Sequence, residues 1–117
     1  MTLRECYEKL QADYDGTLGR LCSEKLVEKF TLKFLADDSY ALLEESMAAG
    51  NYNEAFRAAH TLKGVSLNLG FTKLFEVSDE LTEALRAGEK PENDTLLGKV
   101  EEEYQRTVDV IQELQNG

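Results

Sequence analysis

Proline, histidine, cysteine and tryptophan are all scarce in this chain, and each shortage excludes something. A single proline in 117 residues leaves long stretches free to be helical, because proline breaks an α-helix wherever it enters the interior. The two cysteines, Cys6 and Cys22, lack the paired spacing of a metal site. Each sits among helix-core residues, and both are read as small buried apolar groups rather than as a disulfide or metal ligands. Basic residues are also short, 13 against 23 acidic ones, for a net charge of −10. A surface that negative repels phosphate backbones and anionic lipid, which argues against nucleic-acid and membrane partners. No apolar run approaches the length of a membrane span, and Met1-Thr2-Leu3-Arg4-Glu5 does not open a signal peptide, so a cytoplasmic location is expected. Gly-rich phosphate loops, paired Cys/His metal sets and nucleophile elbows are missing as well. Hydrolases and nucleotide-dependent enzymes are set aside on that ground.

What the chain does have is an apolar fraction of 42%, a globular composition, arranged at the three-to-four spacing of amphipathic helices. Its length suits one core, so residues 1–117 are expected to form one domain. Thr2-Leu3-Arg4-Glu5 has the form of a capping box, and Leu3, Tyr7, Leu10 and Tyr14 continue it at helical spacing. Asp15-Gly16 and Gly19 then break the pattern. Ser23 can cap a helix whose apolar face is Leu26, Val27, Phe30, Phe34 and Leu35, and Asp37-Asp38-Ser39 can cap the next, with Leu42, Leu43 and Met47 inward and Gly50 as terminator.

Asn51-Tyr52-Asn53-Glu54 resembles a second capping box. In the helix it begins, Ala55, Ala58, Ala59, Leu62, Val65 and Leu69 fall along a buried stripe, while Phe56, His60, Lys63, Gly64 and Leu67 fall along another side. Gly70 ends it. Phe71-Thr72 opens a helix with Leu74, Ser78, Leu81 and Leu85 at core spacing, closed by Gly88. After a polar loop, Asn93 or Asp94 caps a long final helix lined by Leu97, Val100, Tyr104, Val108, Ile111 and Leu114. About six helices joined by short loops imply antiparallel neighbours. The expected fold is all-α, an antiparallel up-and-down four-helix bundle over about residues 23–115 with extra short N-terminal helices at one end.

The stretch Ala59-His60-Thr61-Leu62-Lys63-Gly64 carries the chemistry. His60 is the only histidine, with a lysine three residues on and a glycine four residues on; such positions are surface neighbours on a helix. Imidazole is a good nucleophile near physiological pH, and a phosphoimidazole passes its phosphoryl group on readily. That chemistry needs an exposed histidine, a cation to meet phosphate oxygens, and room for a partner's active site. Lys63 can be the cation. Gly64 costs roughly 1 kcal/mol relative to alanine inside a helix, which a need for access to His60 would explain. Close packing of a neighbouring helix would explain it equally. Taken singly, a lone surface histidine and a solvated lysine are ordinary features; only the combination is suggestive.

The same stretch resembles the histidine-containing phosphotransfer (HPt) family, whose motif is roughly A-H-x-L-K-G-x-x-x-x-x-G. Ala59, His60, Leu62, Lys63, Gly64 and Gly70 match without a gap. Gly70-Phe71-Thr72-Lys73-Leu74 looks like the equivalent turn in the phosphotransfer domain of chemotaxis histidine kinases. The likeness continues upstream through Phe30-Thr31-Leu32-Lys33-Phe34-Leu35 and Gly50-Asn51-Tyr52-Asn53-Glu54-Ala55-Phe56, covering roughly residues 25 to 115.

The resemblance implies that His60 accepts a phosphoryl group from a receiver-domain phospho-aspartate or from a histidine kinase and ATP. Lys63 would steady the phosphoryl oxygens and Gly64 would admit the receiver. Mg²⁺ would belong to the receiver, so no cofactor is expected of this chain. Phe56, Arg57, Leu67 and Phe71 would form the docking surround. Two positions depart from the pattern. Where well-studied members bond the inner ring nitrogen with glutamine or glutamate, Thr82 stands, flanked by Glu80 and Glu83. Its hydroxyl could accept the ring N–H, directly or through water, or Thr82 could be a plain helix-face residue. Val65 stands where several relatives have serine and is expected to pack inward. The leading reading is a free-standing, monomeric phosphorelay intermediate with no autonomous kinase activity. A receiver- or kinase-sequestering module and a purely structural bundle are the alternatives.

Overall fold

The computed structural model describes residues 1–117 as seven α-helices without a strand: α1 (Leu3–Leu10), α2 (Tyr14–Leu21), α3 (Glu24–Lys33), α4 (Ser39–Ala48), α5 (Tyr52–Asn68), α6 (Thr72–Leu85) and α7 (Leu96–Asn116), with a 3₁₀ turn at Phe34–Ala36. The helix caps are largely local chemistry. The Thr2 hydroxyl accepts from Glu5 N at 3.1 Å and the Glu5 carboxylate accepts from Thr2 N at 2.9 Å, completing the capping box. The Thr2 backbone N–H, followed by the Thr2 side chain, holds the Glu5 carboxyl below the usual carboxylate range. Ser23 caps α3 and Asn51 caps α5 through side-chain oxygens. At Asn51 the box stays half-made, because the Glu54 carboxylate turns to Arg57 instead of reaching back.

Helices α4 to α7 form the bundle: each packs on its neighbour in sequence, and α4 also touches α7, closing the ring. Short connections make these neighbours antiparallel. The N-terminal helices gather at the end where α5 turns into α6. Asp13 N donates to Gly70 O at 2.8 Å, Tyr7 donates its hydroxyl to Leu69 O at 2.7 Å, and Lys9 pairs with Glu113 near the end of α7 at 2.7 Å. Gly70 has φ +74, and a side chain there would place Cβ 2.6 Å from the backbone oxygen of Asp13. Glycine is therefore required twice over, for the left-handed turn and for the close approach of the N-terminal segment. One continuous cluster of 22 buried apolar residues runs from Cys6 and Tyr7 through Leu62, Leu74 and Leu81 to Leu114.

The structure departs from the sequence reading in several places. The first helix stops at Leu10, where Gln11 takes a left-handed φ of 53. The segment read as broken by Asp15-Gly16 and Gly19 is α2: Asp13 accepts from Gly16 N, and Tyr14 and Thr17 are buried. Tertiary burial outweighs the roughly 1 kcal/mol that each helical glycine costs. Cys22 is exposed rather than buried, in a left-handed cap with φ 63, whereas Cys6 is buried, which pushes its thiol up to about 11. Leu26 also points outward. On α7, Leu96, Thr107 and Val110 are buried beside Val100, Ile111 and Leu114, while Leu97, Tyr104 and Val108 are only half-buried. That helix packs against α6 on one side and against α1 and α3 on another, so its buried arc is wider than a single stripe.

Candidate functional site

Helix α5 sits between α4 and α6. Its alanines explain the tight fit: Ala55, Ala58 and Ala59 are buried with Leu62, and small side chains let flanking helices approach closely. Ser66 completes the buried stripe, with Val65 half-buried beside it. The Ser66 and Ser78 hydroxyls are buried without hydrogen-bond partners.

The opposite face of α5 carries His60, which is exposed. One turn back, the Phe56 ring lies nearly parallel to the imidazole, with ring centroids 6.1 Å apart and planes at 17°. The guanidinium of Arg86, the residue that follows and caps α6, lies over Phe56 at 5.4 Å from its ring centroid. Arg86 is held there by Glu83, which accepts from Nε at 3.0 Å and from Nη2 at 2.6 Å. Those hydrogen bonds are the main reason the Glu83 carboxyl lies below the usual range; Arg86, Lys63 and His60 add smaller electrostatic contributions. One flank of His60 is thus walled by a column of Phe56 and Arg86.

The other flank is open. A Cβ built on Gly64 meets no atom within 4 Å, so no neighbouring helix needs that glycine to pack. Of the two explanations the sequence allowed for Gly64, close packing of a neighbouring helix is thereby removed. Lys63 extends to α6, where its amine lies 2.9 Å from Asp79 Oδ1. A further turn along, Leu67 is 54% exposed, an uncovered apolar group on the same side as His60.

An exposed imidazole, a lysine one turn along the same helix face and an unobstructed flank thus sit together on the surface of an all-helical bundle. The family model described as "Hpt domain" matches residues 32–115; the chain belongs to the Hpt domain family. No curated protein and no solved structure matches it. Family membership carries histidine phosphotransfer in phosphorelay signalling, the Hpt domain acting as a carrier rather than as a kinase, with histidine kinases and receiver domains as the family's typical partners. No helix is long and apolar enough to cross a membrane.

The residues singled out in the sequence separate into two groups. His60, Lys63, Gly64, Phe56 and Leu67 share one face of α5. Arg57 is exposed one turn before His60 and is paired with Glu54. Two expectations are corrected. Phe71 is buried, edge-on to Phe34 and against Tyr7, and so cannot form a docking surface. Thr82 is fully buried and donates its hydroxyl to Ser78 O, one turn back on its own helix, at 2.6 Å. It makes no hydrogen bond to His60, because the residue falls on the core side of α6. The groups that do face the site are Asp79 and Glu83 of α6 and Arg86 at its C-terminal cap. Their three-to-four spacing on the polar side of α6 was visible in the sequence, but nothing local said that this side faces His60.

Proposed function

We propose that the chain carries a phosphoryl group on His60 between a histidine kinase or receiver domain and the receiver aspartate of a response regulator. The observation that supports this most is the exposed imidazole with an open flank at Gly64 and Lys63 one turn along the same helix face. In the transfer from a receiver, the lone pair of the outward ring nitrogen forms the N–P bond. The acyl O–P bond breaks, and its electron pair stays on the aspartate carboxylate. The proton on the other ring nitrogen remains in place, and the reverse step returns the group to a second receiver. Lys63 meets phosphoryl oxygens with N–H donors, which strengthens as charge develops on them. Phe56 fixes one side of the ring while Leu67 and Arg57 meet the receiver. The Mg²⁺ that assists transfer lies in the receiver, so this chain supplies no cofactor, and the protein works as a cytoplasmic monomer.

Incubation with a phosphorylated receiver domain tests this. Acid-labile label is expected on the wild-type protein and none on His60→Gln. Label that survives acid, or that persists in His60→Gln, overturns the proposal. Binding to the receiver without any label identifies a sequestering module instead.

A further inference from the structure

We infer that Asp79 is the resting counter-ion of Lys63 and that its carboxylate holds down the share of phosphoryl group that His60 keeps at equilibrium with a receiver. The inference rests on the phosphotransfer reading of His60 above. Its basis is the pair joining α5 to α6, in which Lys63 Nζ lies 2.9 Å from Asp79 Oδ1, with the lysine side chain 23% and the aspartate side chain 42% exposed. His60 and Lys63 stand three apart on one helix face, so a phosphoryl group on the imidazole comes within reach of the same ammonium. That ammonium is already committed. Of the two α6 carboxylates near the site, Glu83 is held by two hydrogen bonds from Arg86 and feels Lys63 only as a smaller electrostatic contribution, whereas Asp79 forms an ion pair with it.

Phosphorylation places a second, more highly charged anion beside the one already there. Lys63 must then divide its three donors between carboxylate and phosphoryl oxygens. That division raises the free energy of phospho-His60 relative to a protein whose Lys63 is uncommitted. The consequence is directional: the protein accepts the group less completely and gives it up more readily. Asp79 touches no reacting atom and acts through Lys63, which makes it a positioning residue.

The test is the equilibrium ratio of phospho-His60 to phospho-receiver, measured with one fixed receiver domain for the wild type, Asp79→Asn, Asp79→Glu, Lys63→Met and the double variant Lys63→Met/Asp79→Asn. For a partly exposed pair, Asp79→Asn is expected to raise the ratio about two- to fivefold. Asp79→Glu restores the wild-type ratio, and the gain from Asp79→Asn shrinks clearly in the Lys63→Met background. A ratio unchanged or lowered in Asp79→Asn, or an equal gain in both backgrounds, overturns the inference. If the wild type takes no label at all, the phosphotransfer reading itself has failed, a result distinct from either.

Discussion

Replacing Gly64 by alanine should strengthen the fold and weaken the function. Gly64 lies inside α5 without a positive φ, and a Cβ there meets nothing within 4 Å, so the methyl group is sterically free. The expected gain is the helix-propensity difference, about 0.5–1 kcal/mol, reduced little by context because the position is exposed. At this chain length that corresponds to a rise in Tm of roughly 2–5 °C, measured by circular dichroism. Gly98 provides the control: it too is helical with nothing within 4 Å of an added Cβ, but it lies on α7. Gly98→Ala should also stabilise, by less because it sits in the first turn, and should leave phosphotransfer unaffected. Gly64→Ala, and more strongly Gly64→Gln, should slow transfer from a phosphorylated receiver, the glutamine variant by about tenfold or more, equivalent to at least about 1.4 kcal/mol in the barrier. A loss of stability in Gly64→Ala would refute the claim that the flank is empty. Unaltered transfer kinetics in Gly64→Gln would refute the claim that the empty flank is where the partner approaches.

Two further substitutions probe the scaffold behind the site. Burial pushes the Tyr7 phenol up to about 12, against an ordinary value of 10.0. The fold thus favours the protonated form, and this contribution is complete below about pH 10 and lost progressively between about pH 10 and pH 12, a difference of about 3 kcal/mol. Tyr7→Phe should cost about 1–3 kcal/mol at neutral pH by removing the donor to Leu69 O. It should also flatten the fall in urea midpoint between about pH 10 and pH 12; an equally steep fall would show that Tyr7 does not contribute to it. Thr82→Val keeps the shape of the side chain and removes only the hydrogen bond to Ser78 O, so stability should change by less than about 1 kcal/mol. Transfer rates should match the wild type, and a clear loss of rate with the fold intact would reinstate Thr82 as a partner of His60.

Local patterns in the chain were enough for most elements. Caps at Thr2, Ser23 and Asn51, terminators at Gly50 and Gly70, and the apolar spacing of α5 and α6 are short-range signals whose physics is complete within one or two turns, whereas on α4 Leu42, expected inward, is exposed. The α2 segment was hidden because helix propensity is a weak prior: two glycines argue against a helix that buries Tyr14 and Thr17 against the rest of the fold. Cys22 was misjudged for a similar reason, since an apolar neighbourhood in sequence does not say that a left-handed cap will turn the thiol outward.

At the site, the spacing of His60, Lys63 and Gly64 determined that the three share a face, because helix geometry alone dictates it. Only the packing of α6 against α5 decided the rest. It put Asp79 on Lys63 and stacked Arg86 on Phe56, turned Thr82 into the core, and left nothing opposite Gly64. The rotation of one helix about its axis against another is set by how whole rows of side chains interlock, and no stretch of a few residues contains that information.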